Sequence, residues 1–348
     1  MSAPLRIGFV GLDHWYSAIP LAEAAAADSR TEVVAIADHS IDRAAEVVAR
    51  AGGRATTSFD EVLTDDSIDV VASFVSADEN PDVCVAAAAA GKHIVSVKPL
   101  ARTLAEADRI VAAVNASGVT FTPSESRSRS SDQNRLLHSW VTSGRIGEVV
   151  SASFALVGRL PEAWPGATDP GWWTDPGRVP GGAWIDHSLY QIDRMRWVLG
   201  EEVVEASGQV ANLVHPELAV EDFGHSILRF DGGSVATIED TWSGPEGAGR
   251  ITTSIIGTHG AIAVDTATGL VSVVEKGSPI PGWQHFTSPS AYTAGIDEIV
   301  AATTGGGALA TVEDAWENLS VAVAFYEAAA AGTPVAPQHL RDRATLRS

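Results

Sequence analysis

The chain is poor in sulfur and tyrosine: its 348 residues include one Cys, two Met and four Tyr. The lone Cys84 cannot close an internal disulfide, and its setting, DVCVAAAAAG, is that of a buried helix rather than a reactive thiol. Positive charge is also scarce. Lys and Arg number 23 against 44 Asp and Glu, a formal charge of −21, so nucleic acid and anionic membrane surfaces are repelled. No uninterrupted apolar run approaches the roughly 18 residues that cross a bilayer, and MSAPLR leads into a strand-like run without a basic-then-apolar leader. The expectation is a cytoplasmic protein with neither a nucleic-acid nor a membrane partner.

What is present is an ordinary globular composition, 45% apolar and 19% charged, in a chain too long for one small core. In the first 120 or so residues, β-rich runs (RIGFV, EVVAIAD, DVVASFV, HIVSV, VTFTP) alternate with alanine-rich helical stretches at 18–27, 41–51, 81–90 and 104–116. That rhythm predicts βαβ units and a Rossmann-type, doubly wound parallel sheet over residues 1–123. From about Gly147 the runs lengthen and alternate, from GEVVSASFALV to LVSVVEKG, and read as antiparallel strands with one wet face. With helices at 291–304 and 312–331, residues 124–336 are expected to form an α+β domain with an open, mostly antiparallel sheet. Residues 337–348 either pack back or stay loose. One segment, PEAWPGATDPGWWTDPGRVPGGAWIDHSLYQIDRMRWVLG, holds five of the ten tryptophans, and either walls a site or packs a domain interface.

The chemistry-bearing residues fall at strand ends. A dinucleotide-binding turn places glycines so that backbone can approach a pyrophosphate at a helix N-terminus. In GFVGLDHWYSAIP, Gly11 supplies the first, but Asp13 and Tyr16 hold the second and third positions, around Leu12 and His14. Asp13 suits a phosphate poorly, and is expected to turn away and cap the following helix. Asp38, 27 positions after Gly11, ends the second strand where a carboxylate reads ribose hydroxyls, favouring NAD over NADP; nearby Ser40 and Arg43 leave NADP possible. In HIVSVKPLA, Lys98 sits at the ligand-binding edge of the sheet, with Pro99 holding its backbone extended. On the helix GGAWIDHSLYQIDRMRWVLG, Asp186, Tyr190 and Asp193 share one stripe and His187 lies on the next, so an acid and a phenol one turn apart share a proton. Asp193 and Arg196 are spaced as an ion pair.

Together RIGFVGL, Asp38, GKHIVSVKPLA, SGRIGEVV, WWTDPGRVPGGAWIDHSLYQID and TVEDAWENLSVAVAFYEAAAAGTPV resemble, in order and spacing, the glucose–fructose oxidoreductase, inositol dehydrogenase and MocA (Gfo/Idh/MocA) family. The resemblance spans about residues 5–336. It implies an NAD(P)-dependent oxidoreductase acting on a secondary alcohol of a sugar, polyol or cyclitol, and a homodimer or homotetramer built through the C-terminal sheet. The family's E-K-P motif maps to Val97, Lys98 and Pro99, so the lysine that positions the reacting hydroxyl is retained and the glutamate is not. Its D-x-x-x-H maps to Asp186 and Tyr190, which puts tyrosine where the family has its histidine base. Lys98 beside Tyr190 makes a coherent proton-accepting pair, and His187 is a second candidate base. Ser76 and Trp173 match family positions near the cofactor. Two other readings stay open at this point: chemistry without net oxidation, through a retained NAD or a metal, and a non-catalytic ligand-binding role. His14, Glu125, His187 and His225 show no local ligand spacing, and no metal is expected.

Overall fold

A computed structural model describes residues 3–277, 283–285 and 291–342. The chain begins β1 (Leu5–Val10), α1 (Trp15–Ala27), β2 (Thr31–Ala37), α2 (Ile41–Ala51), β3 (Arg54–Thr56) and α3 (Phe59–Leu63). It continues β4 (Val70–Ser73), α4 (Asn80–Ala89), β5 (His93–Ser96), α5 (Leu104–Ser117) and β6 (Phe121–Pro123). The strands form one parallel sheet in the order β3-β2-β1-β4-β5-β6. All four residues of β4 are buried, as expected of a central strand covered on both faces. Ser40, Ser58 and Thr103 cap α2, α3 and α5 by accepting backbone N–H groups. The strand order reverses between β1 and β4, which opens a crevice at their C-terminal ends. β3 adds a strand that was not expected, because three residues are too few to show alternation.

After α6 (Arg127–Ser130) and α7 (Asp132–Thr142) come β7 (Val149–Val157), α8 (Ala183–Leu199), β8 (Val203–Ala211), β9 (Phe223–Phe230) and β10 (Val235–Thr241). Then follow β11 (Arg250–Gly257), β12 (Gly260–Asp265), β13 (Leu270–Glu275), β14 (Gln284–His285), α9 (Ala291–Thr303) and α10 (Val312–Ala331). The second sheet runs β14-β13-β12-β11-β7-β10-β9-β8 and is antiparallel except where β10 lies parallel to β7. The sheet is mostly antiparallel, as expected, and the β10–β7 pair is its one parallel neighbour among the described strands. The chain from β7 to β10 passes through α8 and the β8–β9 pair, long enough for a crossover that no local pattern reveals.

α8 and α10 cover one face of this sheet, over inward residues such as Phe154, Leu228 and Ile238. Among the described residues no helix packs on the other face. The last two helices return toward the first sheet: α9 packs on α1 and puts Ile296 and Ile299 into its core, while α10 contacts both α5 and β8. Leu340 is buried, so the tail packs back as far as 342; 343–348 lie outside the described residues.

Candidate active site

The crevice edge brings together residues far apart in sequence. Gly11 has φ of +78°, and a Cβ there would come within 2.8 Å of the Val75 backbone, so the β1–α1 turn requires glycine at this position. The next residue, Leu12, donates its N–H to Asp38 Oδ2 at 2.9 Å, and Ser40 N–H bonds Oδ1 at 2.8 Å. Asp13 does not cap α1, contrary to expectation. Its carboxylate accepts the Ser76 N–H at 2.9 Å and lies 3.8 Å from the Arg178 guanidinium, tying the β1–α1 turn to the turn after β4. The N-cap of α1 is His14, without a side-chain bond and with no acid in the first turn, which leaves that helix end open to an anion. His14 itself is fully buried, its ring 4.8 Å from Trp172 and 4.9 Å from Trp173, and burial with the nearby Lys98 charge pulls it down to about 3.

Lys98, 1% exposed, emerges after β5 and ion-pairs with Asp186 at 2.6 Å. Burial alone would neutralise both groups; their mutual attraction wins, holding the lysine above its ordinary range and, with His187, the aspartate well below its own. The Trp242 indole donates to the other oxygen of Asp186 at 3.1 Å. Aromatic rings surround the ammonium, with centroids 5.1 Å (Trp173), 5.8 Å (Tyr190) and 6.0 Å (Tyr16) away. Pro99 follows and borders a small chamber shared with Lys98 and Trp173.

Asp186 and His187 open onto a cavity of about 710 Å³ whose walls include Trp15, Tyr16, Leu156, Leu160 and Trp173. His187 Nδ1 lies 3.5 Å from Asp186 and 3.4 Å from Asp240. Burial opposes its charge, but the two carboxylates outweigh burial and raise its pKa. Among the described residues, His14 Nε2, Trp173 Nε1, His187 Nδ1 and Asp240 Oδ1 are buried without an aligned hydrogen-bond partner. Such orphans gathered around one ion pair mark a site rather than a packed core.

The shared proton between Asp186 and Tyr190 is not formed. Asp186 is taken by Lys98 and Trp242, the ammonium meets the tyrosine ring rather than its hydroxyl, and that hydroxyl accepts Arg127 Nη2 at 3.4 Å. Nor do Asp193 and Arg196 pair: Asp193 binds Arg129 through both oxygens and Arg196 binds Glu202. His14, Glu125, His187 and His225 form no ligand cluster; the one such group among the described residues is Glu202, Glu317 and His339. Sequence reasoning missed Tyr16, Arg178, Asp240 and Trp242. For Asp240 a signal existed, since it continues the inward register of Ala236 and Ile238 on β10. The tryptophan-rich segment both walls the cavity, through Trp173, and packs the interface, where Trp172 donates to the Asp13 carbonyl and Trp164 stacks under Arg43.

Comparison with known families agrees with this architecture. Residues 5–124 match the model of an oxidoreductase family with an NAD-binding Rossmann fold, and residues 134–263 match the GFO/IDH/MocA C-terminal domain. The chain belongs to the Gfo/Idh/MocA oxidoreductases. Curated relatives include a 1,5-anhydro-D-fructose reductase of Ensifer adhaerens, 26% identical over 86% of this chain and 90% of that protein. A myo-inositol 2-dehydrogenase of Thermotoga maritima is 27% identical over 72% and 74%. Among solved structures, a levoglucosan dehydrogenase in complex with NADH and L-sorbose superposes with a TM-score of 0.84 at 22% identity, covering 97% of this chain and all of that one. In this Gfo/Idh/MocA protein the nucleotide edge suits NAD: a glycine turn that no side chain can replace, an uncapped helix N-terminus, and at Asp38 a carboxylate whose oxygens each keep acceptor capacity after binding one N–H. No described helix is long and apolar enough to cross a membrane.

Proposed function

We propose that the protein is an NAD-linked dehydrogenase acting on a secondary alcohol of a sugar, polyol or cyclitol. The observation that carries this reading is the buried Lys98–Asp186 pair, set between an NAD-binding sheet edge and an aromatic-walled cavity large enough for a monosaccharide. The substrate class rests on the relatives named for anhydrofructose and inositol. Gly11, Leu12, the N-terminus of α1, Asp38 and Ser76 would hold the dinucleotide, with Lys98, Pro99 and Trp173 beside its nicotinamide end. When bound, the nicotinamide supplies a hydride acceptor. Asp38 favours NAD because a 2′-phosphate would meet its charge.

In this reading Lys98 holds the reacting oxygen and stabilises it as its proton leaves, while Asp186 keeps the ammonium charged and fixed. His187, which lines the cavity, takes the proton; Tyr190 orients through its ring and its bond to Arg127. Asp13 and His14 support the turn and the tryptophans above it rather than reaching the phosphates. Trp15, Tyr16 and Trp173 present flat faces to the apolar side of a sugar ring. The open face of the second sheet is the surface through which copies would assemble.

The test pairs calorimetry with turnover. NAD should bind at micromolar concentration and more tightly than NADP. Lys98→Met would leave Asp186 as an unpaired buried charge, at a cost of about 3–5 kcal/mol. The double variant Lys98→Met/Asp186→Asn is therefore the fair comparison: it should fold, bind NAD, and lose at least about 10²-fold in kcat, the lower range for acid–base assistance. Full turnover by that variant on a sugar or cyclitol substrate would overturn the reading.

A further inference from the structure

Asp240 is a buried carboxylate to which the mechanism above gives no task. It stands on β10, 0% exposed, where Ala236 and Ile238 of the same face fill the core. One oxygen, Oδ2, accepts the backbone N–H of His187 at 3.2 Å and lies 3.4 Å from the Nδ1 of the same residue. The other, Oδ1, is buried with no hydrogen-bond partner among the described residues. A half-satisfied carboxylate in an apolar sheet face is expensive, and a packed core does not need it. Asp186 already holds Lys98 and Trp242, one on each oxygen, and lies 3.5 Å from the same Nδ1; of the two carboxylates only Asp240 also accepts the His187 backbone N–H.

We propose that Asp240 is a positioning residue for His187: it holds the imidazole with its proton on Nδ1, so that Nε2 faces the cavity as acceptor for the substrate hydroxyl proton. The inference rests on the dehydrogenase reading and on His187 as its base. In the step, the hydroxyl proton passes to Nε2 and the alcohol oxygen becomes the carbonyl oxygen. The electron pair of the carbon–hydrogen bond leaves as the hydride that the cofactor accepts. Asp240 remains ionised and faces the imidazolium that forms. The Nδ1 of His187 is buried between two carboxylates while the ring borders the cavity, which leaves Nε2 as the available nitrogen.

The electrostatics agree with this placement. Burial pushes the Asp240 carboxyl up to about 6, with Asp186 adding to the rise and His187 and Lys98 opposing it. The charged and titratable groups facing the pair are Asp186 on α8, Lys98 after β5, and Tyr326 on α10, whose hydroxyl donates to Glu221.

The deciding experiment follows the histidine directly. The ¹⁵N spectrum of the intact protein, with His187 assigned by comparison with His187→Gln, should show a neutral ring protonated on Nδ1; an Nε2–H tautomer overturns the proposal whatever the variants do. Asp240→Asn should lower kcat roughly tenfold or more, a part of the about 10²–10⁴-fold that a positioned base contributes. It should leave the calorimetric affinity for NAD unchanged. Losing the negative neighbour lowers the His187 pKa, so the acid limb of the kcat/KM profile moves to lower pH. A pH profile that superimposes on the parent, with only the melting temperature altered, shows that Asp240 is merely structural and overturns the inference while the dehydrogenase stands. Full turnover by His187→Gln instead removes the base assignment and the inference with it.

Discussion

Glu125 shows what a buried charge costs in this chain. It is 1% exposed beside Lys98, Arg127 and Asp193, and burial pushes its carboxyl up to about 7 from 4.5. Below about pH 4.5 the group is neutral in both the folded and the unfolded chain and costs nothing. Between 4.5 and 7 the unfolded chain releases the proton while the folded one keeps it, so stability falls as pH rises, and above 7 the full penalty stands. At about 1.4 kcal/mol per pH unit, that penalty amounts to a few kcal/mol. Glu125→Gln should therefore unfold at a higher temperature than the parent at pH 8 and nearly equally at pH 4.5. Equal melting temperatures at both pH values would show that the site is not desolvated. At this scale the sequence was partly legible. Lys98, Asp186 and Asp38 were visible because each ends or follows a readable strand or opens a readable helix. The roles of Asp13 and Tyr190 were not, because Ser76 and Arg127, which claim them, arrive from 63 residues away in each case.

α8 carries Asp186 and His187, and its first turn is fixed from outside. No side chain of its own caps it; the Glu221 carboxylate, in the connection between β8 and β9, accepts the N–H groups of Gly182 at 2.9 Å and Trp184 at 3.1 Å and the Tyr326 hydroxyl at 2.7 Å. A Cβ on Gly182 would meet the Glu221 carbonyl at 2.1 Å, so the approach is as close as backbone allows. Glu221→Gln keeps the volume but turns an amide NH₂ toward donors. It should cost about 1–2 kcal/mol in denaturant unfolding, in line with a lost N-terminal cap. Because the helix start carries the proposed substrate groups, KM for the sugar should rise while NAD affinity, measured by calorimetry, holds. An NAD affinity that falls in parallel with KM would show that the cap fixes the whole crevice. Element by element, α2, α5 and α10 were readable from their alanine-rich helical stretches, and the fold adds Ser40, Thr103 and Thr311 as their caps. The remote cap was not, since an acid before a strand carries no mark of the helix it will reach.

At the scale of the whole molecule, one sheet face carries no helix among the described residues. Across the outer face of the second sheet, the registers line up Ser207, Ile227, Thr237, Ser153, Ser254, Ala263 and Ser272 in a single row through seven strands. All but Ile227 are short, and none is charged. In a chain of charge −21, two copies repel in general, yet this row places no like charges opposite each other. Two pairs of charged side chains on these strands are matched within the chain, Glu205–Arg229 and Arg250–Asp265. The change from a parallel to a mostly antiparallel sheet was legible from the change of texture near Gly147, whereas the return of α9 onto α1 was not, because only the folded chain brings Ile296 beside the first core. That return ties the two sheets into one body, so a contact on the bare face joins whole molecules and leaves the crevice untouched. Sedimentation at micromolar concentration should therefore give a multiple of the 36.3 kDa chain mass. Ser153→Arg/Ser254→Arg, adjacent in the middle of the row, should give the monomer mass with NAD binding retained. A parent chain that sediments as a monomer, or a double variant that stays assembled, would move the interface elsewhere.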